Sequence, residues 1–191
     1  VSLDEFCRYF AQDGAAWPFE RQSLLKLRSI GGNAEFGKTV VARRDEILFR
    51  DSRWEAVPVR AMRERQVRQL VRAGTFHAKL SPGALVDVEY LVQLLQLSHG
   101  GQHHSLHTPN TLAGLAELTK LGLVPEEAHE PLRSAYLFFR RLIDALRMAR
   151  GSADDLTLPA PDEELFAGLA RRLNCSQSHL ACAVEQHSAA V

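Results

Sequence analysis

Apolar residues recur at intervals of three and four along most of the chain, which is the spacing of one face of an α-helix. The longest stripe includes Leu132, Phe139 and Leu146 and predicts a helix from about 125 to 149. Helix-start residues (Ser, Asn, Pro) precede several of the other periodic segments. Those other segments predict helices over about 2–13, 18–29, 33–49, 58–72, 83–98 and 108–122.

The remainder of the pattern contains little that favours a sheet. The one strand-like stretch, 75–80, alternates weakly and is too short to make a sheet by itself. Gly, Ser, Asp and Pro dominate 151–161, as is typical of a linker, and two short helical patterns follow it. We therefore predict an all-α fold: a helical bundle of about seven helices over 1–150, a linker over 151–161, and a small two-helix extension over 162–191.

Two of the predicted helices have distinctive faces. The fifth is apolar almost all round, which predicts a position in the centre of the bundle. The fourth has an apolar side and an arginine-rich side. We expect the arginine-rich side to be exposed to solvent rather than to bind nucleic acid. Its predicted inward residues are Val59, Met62, Val67 and Leu70, and its predicted outward residues are Arg60, Arg65, Arg68 and Arg72.

Composition narrows the classes of function. Lysine and arginine number 23, as do aspartate and glutamate, so the formal charge is zero and no overall field attracts nucleic acid or a membrane surface. Three cysteines are too few, and odd in number, for a disulfide framework, which favours a reducing, cytoplasmic location.

The chain begins with Val1 rather than Met, so we expect it to be part of a longer protein. No phosphate-binding loop, dinucleotide-binding glycine pattern or nucleophile elbow is present.

The fifth helix carries two carboxylates on an otherwise apolar surface. Asp87 and Glu89 leave it in roughly opposite directions, and Glu89 shares its side with Gln93. A buried carboxylate is costly unless it is paired or hydrogen-bonded. Two interpretations remain open: internal links to arginine or backbone groups, or a polar face that lines a cleft.

A histidine-rich segment contains His99, His103, His104 and His107. Zinc needs three or four ligands in fixed tetrahedral geometry, but glycines interrupt this segment, and neither cysteine nor carboxylate lies within it. We therefore favour a solvated loop over a metal site, and the prediction for metal ligands is none.

The segment from Phe19 to Arg28 offers a second candidate site. Arg21 and Arg28 are seven residues apart and lie on one face of the predicted second helix, with Glu20 close by. Guanidinium groups bind phosphate through forked hydrogen bonds. A solvated face of ion pairs is the alternative.

Four segments together resemble one protein family. The stretch from Lys79 to Gln93 reads Lys-Leu-Ser-Pro-Gly-Ala-Leu-Val-Asp-Val-Glu-Tyr-Leu-Val-Gln and is similar to a signature of the glutamine synthetase adenylyltransferases. That signature belongs to the helical domain that follows their nucleotidyltransferase domain, and PII uridylyltransferases share this helical domain. Phe19–Arg28, Thr108–Leu112 and Ala135–Arg140 resemble further segments of the family in the same order. Ala84 replaces a family glycine, which suggests that the backbone there needs no positive φ.

The resemblance implies a catalytic activity for the complete family members, but it does not imply that activity for this chain alone. Nothing here matches the family's Gly-Ser and Asp-x-Asp carboxylates, which hold metal and nucleotide on an upstream sheet. We therefore expect a non-catalytic module, inactive alone, of an enzyme that transfers AMP between ATP and a tyrosine of glutamine synthetase. It would line the nucleotide cleft and dock protein partners, with no catalytic residue of its own. Its candidate cleft residues are Glu20, Arg21, Lys26, Arg28, Lys79, Asp87, Glu89 and Gln93.

The resemblance also implies roles, partners and cofactors. Lys26 and Arg28 would neutralise phosphate, whereas Asp87 and Glu89 would orient basic groups without binding metal. The expected partners are the upstream nucleotidyltransferase domain, glutamine synthetase and the PII signal protein, in the regulation of nitrogen metabolism. No cofactor is expected in this chain, and Mg and ATP are expected in the parent enzyme. The alternative is a stand-alone interaction module that binds a PII-type regulator or a small ligand that reports nitrogen status.

Overall fold

A computed structural model describes residues 1–50 and 54–191, and over these residues the fold is all-α, which confirms the predicted class. The predicted turn at Asp51 and Ser52 lies outside the described residues. The helices are α1 (Leu3–Phe10), α2 (Pro18–Ser23), α3 (Ala34–Phe49), α4 (Ala56–Leu70), α5 (Leu85–His99), α6 (Thr111–Lys120), α7 (Glu126–Arg150), α8 (Glu164–Arg172) and α9 (Gln177–Ala189).

Local capping chemistry sets several helix starts. The Ser2 backbone N–H donates to a Glu5 carboxylate oxygen at 2.7 Å, and the Ser2 hydroxyl accepts from the Glu5 N–H, which completes the predicted capping box. The side chain of Asn33 caps α3 by accepting from Phe36 N–H at 2.8 Å. At the other end of a helix, Gly151 closes α7 with a φ of 65°.

Two helix predictions are wrong in detail. The second helix was expected to continue to Ser29, but α2 ends at Ser23 and a single 3-10 turn, Leu24–Lys26, follows it. On α4, Leu70 was expected inside but is 58% exposed, whereas Arg63, an arginine absent from both predicted faces, is 9% exposed. Arg63 is buried because it pairs with Asp87 and donates to the carbonyls of Leu80 and Ser81.

The described chain divides into two compact units. The first, here the N-terminal unit, comprises Val1–Ala61 and Leu91–Val124. The second, the C-terminal unit, comprises Met62–Tyr90 and Pro125–Val191. Residues 151–191 therefore share a unit with the whole of α7, and the predicted division at 150 and 161 stays a prediction about separable parts.

Each unit has its own apolar core. In the N-terminal unit, Leu25, Leu48 and Leu97 are nearly inaccessible and pack with Leu24 and Phe49. The core of the C-terminal unit combines residues of α7, α8 and α9, all at most 1% exposed; they are Phe139, Leu142, Leu146, Phe166, Leu169 and Leu180.

The strand-like stretch 75–80 makes one antiparallel bridge, between His77 and Thr157. The Ala78 N–H donates to the Leu156 carbonyl at 2.9 Å, and the Leu158 N–H donates to the Phe76 carbonyl at 2.7 Å. These bonds join the loop before α5 to the loop after α7 within the C-terminal unit.

Gly83 stands where the chain enters α5 with a φ of +73°, and a Cβ there would collide with the carbonyl oxygen of Ser188 on α9. Ala84 follows it without a positive φ, as predicted. No helix of the described chain is long and apolar enough to cross a membrane.

Candidate functional site

The eight candidate residues fall into two sets, one in each compact unit. Lys79, Asp87 and Glu89 belong to the C-terminal unit. The N-terminal unit contains Glu20, Arg21, Lys26, Arg28 and Gln93.

Glu20 has a structural partner at each carboxylate oxygen. One oxygen accepts from the Trp17 backbone N–H at 2.8 Å, which caps α2. The Tyr9 hydroxyl donates to the same carboxylate at 3.0 and 3.1 Å, and this bond raises the pKa of Tyr9. Glu20 thus joins α1 to the start of α2.

Gln93 is buried and hydrogen-bonded to a second buried glutamine. Gln22 Nε2 donates to Gln93 Oε1 at 2.7 Å, and the two residues are 4% and 7% exposed. One turn along α5, the amide nitrogen of Gln96 donates to the carbonyls of Leu106 and Thr108 at 2.7 and 2.9 Å. The polar side of α5 in this unit therefore binds neighbouring segments and satisfies groups that would be costly to bury alone.

Lys26 lies at the end of the 3-10 turn and reaches the N-terminal end of α6. Its Nζ donates to the Thr111 hydroxyl at 2.7 Å and to the Pro109 carbonyl at 3.3 Å. Thr111 is 3% exposed, so the ammonium lies at the edge of the unit's interior. The amine proposed to neutralise phosphate therefore also has a structural function.

The structure separates Arg21 from Arg28. Because α2 ends at Ser23, the two residues do not share a helix face, and that expectation is wrong. Arg21 lines a cavity with Trp54 and Pro58. Arg28 is exposed and lies in a different concavity, beside the exposed side chains of Ile30 and Phe36.

Asp87 anchors the start of α5. Its Oδ1 accepts from Arg63 Nε at 2.5 Å, and its Oδ2 accepts from the Gly83 N–H at 2.7 Å. Arg63 also donates through Nη2 to the carbonyls of Leu80 and Ser81, at 2.9 and 3.1 Å. One partly buried ion pair thus holds helix α4, the loop before α5 and the first turn of α5. The internal arginine link considered for Asp87 is present.

The other two candidates of this unit differ from Asp87. Lys79 is exposed and Glu89 is half-buried, and the charged side chain of neither forms a hydrogen bond or salt bridge within the described part of the chain. Contacts within the described chain therefore give Asp87 a structural function, but they give none to the charged side chains of Lys79 and Glu89.

His77 lies in the same loop, and its ring is an acceptor. Its Nδ1 accepts from the backbone N–H groups of Lys79 and Leu80, at 3.2 and 3.1 Å. Burial lowers the pKa of His77 below its ordinary value. The neutral imidazole thus shapes the loop that carries Lys79.

In the histidine-rich segment, the ring of His107 packs against an aromatic side chain and hydrogen-bonds to the backbone. This ring stacks on Phe49 with centroids 3.7 Å apart, and its Nε2 donates to the Gly100 carbonyl at 2.9 Å. Its Nδ1 lies 3.4 Å from a carboxylate oxygen of Asp45. Residues 1–50 and 54–191 contain no group of three or more His, Cys, Asp or Glu side chains placed to hold a metal ion.

Sequence reasoning missed two buried arginines. Arg63 is four residues from both Val59 and Val67, so it lies on the apolar side of α4, and this spacing was an available signal. Arg44 is 3% exposed and donates to the Asp45 carboxylate and to the Leu27 carbonyl, at 2.8 and 3.0 Å. Spacing was a signal here too, because Arg44 is three residues after Val41 and four before Leu48, whereas Arg43 pairs with Glu46 at the surface.

Fold and site together define an all-α protein module whose buried polar groups mostly hold its own helices and loops. A family model described as GlnD PII-uridylyltransferase matches residues 59–191, and the chain belongs to this family. The predicted resemblance is thereby confirmed.

The curated relatives are adenylyltransferases. Three proteins called bifunctional glutamine synthetase adenylyltransferase/adenylyl-removing enzyme are similar to this chain. The Mycobacterium leprae (strain TN) protein is 33% identical over 172 residues, which are 87% of this chain and 17% of that protein. The Streptomyces coelicolor protein is 32% identical over 184 residues, which are 93% of this chain and 18% of that protein. The Mycobacterium tuberculosis (strain H37Rv) protein is 35% identical over 174 residues, which are 89% of this chain and 17% of that protein. The chain thus spans less than a fifth of the length of these relatives.

Proposed function

We propose that this chain is a non-catalytic helical module of a nucleotidyltransferase that transfers AMP between ATP and a tyrosine of glutamine synthetase. Family membership and the 32–35% identity to enzymes with that name support the reaction class. The preference for adenylyl over uridylyl transfer rests on those relatives, because the family model carries the uridylyltransferase description.

The observation that carries the proposal is the contrast within one short signature. Asp87 and Gly83 have internal structural functions, whereas the side chains of Lys79 and Glu89 form no hydrogen bond or salt bridge in the described chain. A half-buried carboxylate gains from a partner, because partial burial removes water without supplying a replacement. We therefore assign Lys79 and Glu89 to contacts with another domain or with a substrate protein.

The chemistry would come from outside this chain. Adenylyl transfer needs carboxylates that position metal ions on the nucleotide, and the upstream nucleotidyltransferase domain would supply these together with Mg and ATP. On this proposal Arg28 faces the nucleotide cleft or the docked partner, since its guanidinium is exposed. Glutamine synthetase and the PII signal protein are the proposed partners, with nitrogen regulation in the cytoplasm as the setting.

The test uses the complete enzyme and conservative charge-removing variants. Glu89→Gln and Lys79→Gln should each lower the rate of AMP transfer at least about tenfold, the effect of one lost charge-assisted contact. Glu185→Gln on α9 is the control, because it removes the same charge from a solvent-exposed glutamate whose side chain is likewise without a salt bridge in the described chain. Wild-type rates in both test variants contradict the proposal. If the same variants instead lose binding to the PII protein while transfer is unchanged, the stand-alone interaction module is the better account.

A further inference from the structure

A small cavity in the N-terminal unit is not used by the proposed function. It has a volume of about 180 Å³ and lies between the start of α2 and the first turn of α4. An engineered apolar cavity of about 150 Å³ is enough to bind benzene. The space therefore accommodates a molecule with a single ring or a short branched chain.

One side of this cavity is apolar and well held, whereas Gln12, Arg21 and Glu55 make the rest of the lining polar. Trp54, Pro58 and Val59 line one side. The indole Nε1 of Trp54 donates to the Leu48 carbonyl at 2.9 Å, which fixes the ring, and Val59 is 8% exposed. This apolar side favours contact with the apolar body of a ligand, and the polar side favours contact with its polar group.

Arg21 supplies the polar end of the cavity. Its Nε atom is buried and has no hydrogen-bond partner within the described chain. A buried guanidinium N–H without an acceptor in the protein carries a free-energy cost. A small rotation of this side chain would present Nε and one Nη as the fork that binds a carboxylate through two hydrogen bonds.

The charge of the ligand follows from the remaining polar wall. Glu55 also lines the cavity, and its carboxylate disfavours a second negative charge in the same space. Among the described lining residues, Arg21 is the one cation. A monoanion is therefore preferred to a phosphate dianion.

We propose that the cavity between Arg21 and Trp54 is a binding site for a compact monocarboxylate with an apolar body. The Arg21 guanidinium binds the carboxylate, and the body packs on Trp54, Pro58 and Val59. The carboxylate belongs either to a free small molecule or to the end of a peptide chain.

The first test is a titration of the ¹⁵N-labelled 191-residue chain with benzoate, followed through the indole N–H signals. The chain has two tryptophans: Trp54 lines the cavity, whereas Trp17 is 62% exposed and is not a lining residue. We expect a saturable shift of the Trp54 signal, a dissociation constant at least about tenfold weaker in Arg21→Gln, and an unchanged constant in Arg8→Gln. Arg8 is the matched control because it is an exposed arginine outside the cavity. The proposal is overturned by a folded chain without a saturable Trp54 shift, by equal affinity in Arg21→Gln, or by tighter binding of inorganic phosphate than of benzoate.

A second variant keeps the test decisive if Arg21→Gln fails to fold. Glu55→Gln removes the repulsion and should tighten benzoate binding, and weaker binding overturns the proposal. N-acetylphenylalanine and its amide then identify the source of the carboxylate. Tighter binding of the free acid than of benzoate assigns the site to a peptide terminus, and the reverse order assigns it to a free small molecule. Equal binding of the acid and its amide overturns the proposal, because the carboxylate would then be unnecessary.

Discussion

The Nε atom of Arg63 on α4 lies 2.5 Å from Oδ1 of Asp87 on α5, in a pair whose side chains are 11% and 28% exposed. Three residues further along each helix, Gln66 Nε2 donates to the Tyr90 hydroxyl at 3.1 Å. The two contacts thus have the same register, so this part of α4 and the first turns of α5 pair side by side within the C-terminal unit.

Asp87→Ala tests the importance of the ion pair. Removing the carboxylate leaves the Arg63 charge buried, so we expect a loss of about 3 kcal/mol in the free energy of unfolding. Urea denaturation of the chain measures it. Asp144→Ala is the control, because Asp144 is 60% exposed in a surface pair with Arg147, where a change below about 1 kcal/mol is expected. Equal losses in the two variants would show that the Asp87–Arg63 pair contributes no more to the free energy of unfolding than a surface pair does.

Gly83→Ala tests the entry to α5. Both Gly83 and Gly122 have positive φ, +73° and +71°, so alanine is strained at either position, by about 1 kcal/mol. At Gly83 the added Cβ also meets the Ser188 carbonyl, whereas nothing lies within 4 Å at Gly122. We therefore expect Gly83→Ala to lower the melting temperature clearly more than Gly122→Ala does. Equal decreases in melting temperature would mean that α9 moves to accommodate the methyl group without loss of stability.

Gln93→Leu tests the buried amide pair. The variant leaves Gln22 without its acceptor and should destabilise the chain by about 1–3 kcal/mol. Adding Gln22→Leu removes the unpaired amide as well, so the double variant should lose less than the sum of the two single variants. A double-mutant cycle by urea denaturation measures the coupling. Strict additivity would contradict a direct interaction between the two side chains.

Stability should depend on pH through His77. Its pKa is lowered in the folded chain by burial, from an ordinary value of 6.5, so the unfolded chain takes up the proton at the higher pH. The free energy of unfolding is then unaffected by this residue above about pH 7, and it decreases as the pH falls below about 6.5. His77→Asn keeps an acceptor for the Lys79 and Leu80 N–H groups but does not titrate. We expect a shallower dependence in this variant, with a remainder from His187, whose pKa burial also lowers. An identical slope in His77→Asn and wild type would contradict the assignment.

Local sequence signals predicted most of the helices because their causes are local. Capping at Ser2 and Asn33 depends on residues within one turn, and the apolar stripe of α7 depends on spacing alone. These signals do not say where a helix must stop for tertiary reasons. After Ser23 the chain tightens into a 3-10 turn, and Lys26 there reaches Thr111, 85 residues away in sequence.

The candidate site was less predictable because burial of a charge depends on its partner. The sequence indicates that Asp87 needs a partner but does not identify Arg63, which comes from another helix, 24 residues earlier. The same limit applies to Leu70, whose periodic position predicts burial although the structure leaves it 58% exposed. Glu89 was found as a carboxylate on an otherwise apolar helix and Lys79 through resemblance to a family signature, and their contacts stay a prediction.

The most direct test of the central claim measures incorporation of labelled AMP from ATP into glutamine synthetase, in the presence of Mg²⁺. The complete enzyme and the 191-residue chain are compared at equal concentration. The account predicts incorporation by the complete enzyme and none above background by the chain alone, because the chain is a module that supports the reaction without catalysing it. Incorporation by the chain alone, or none by the complete enzyme, would contradict it.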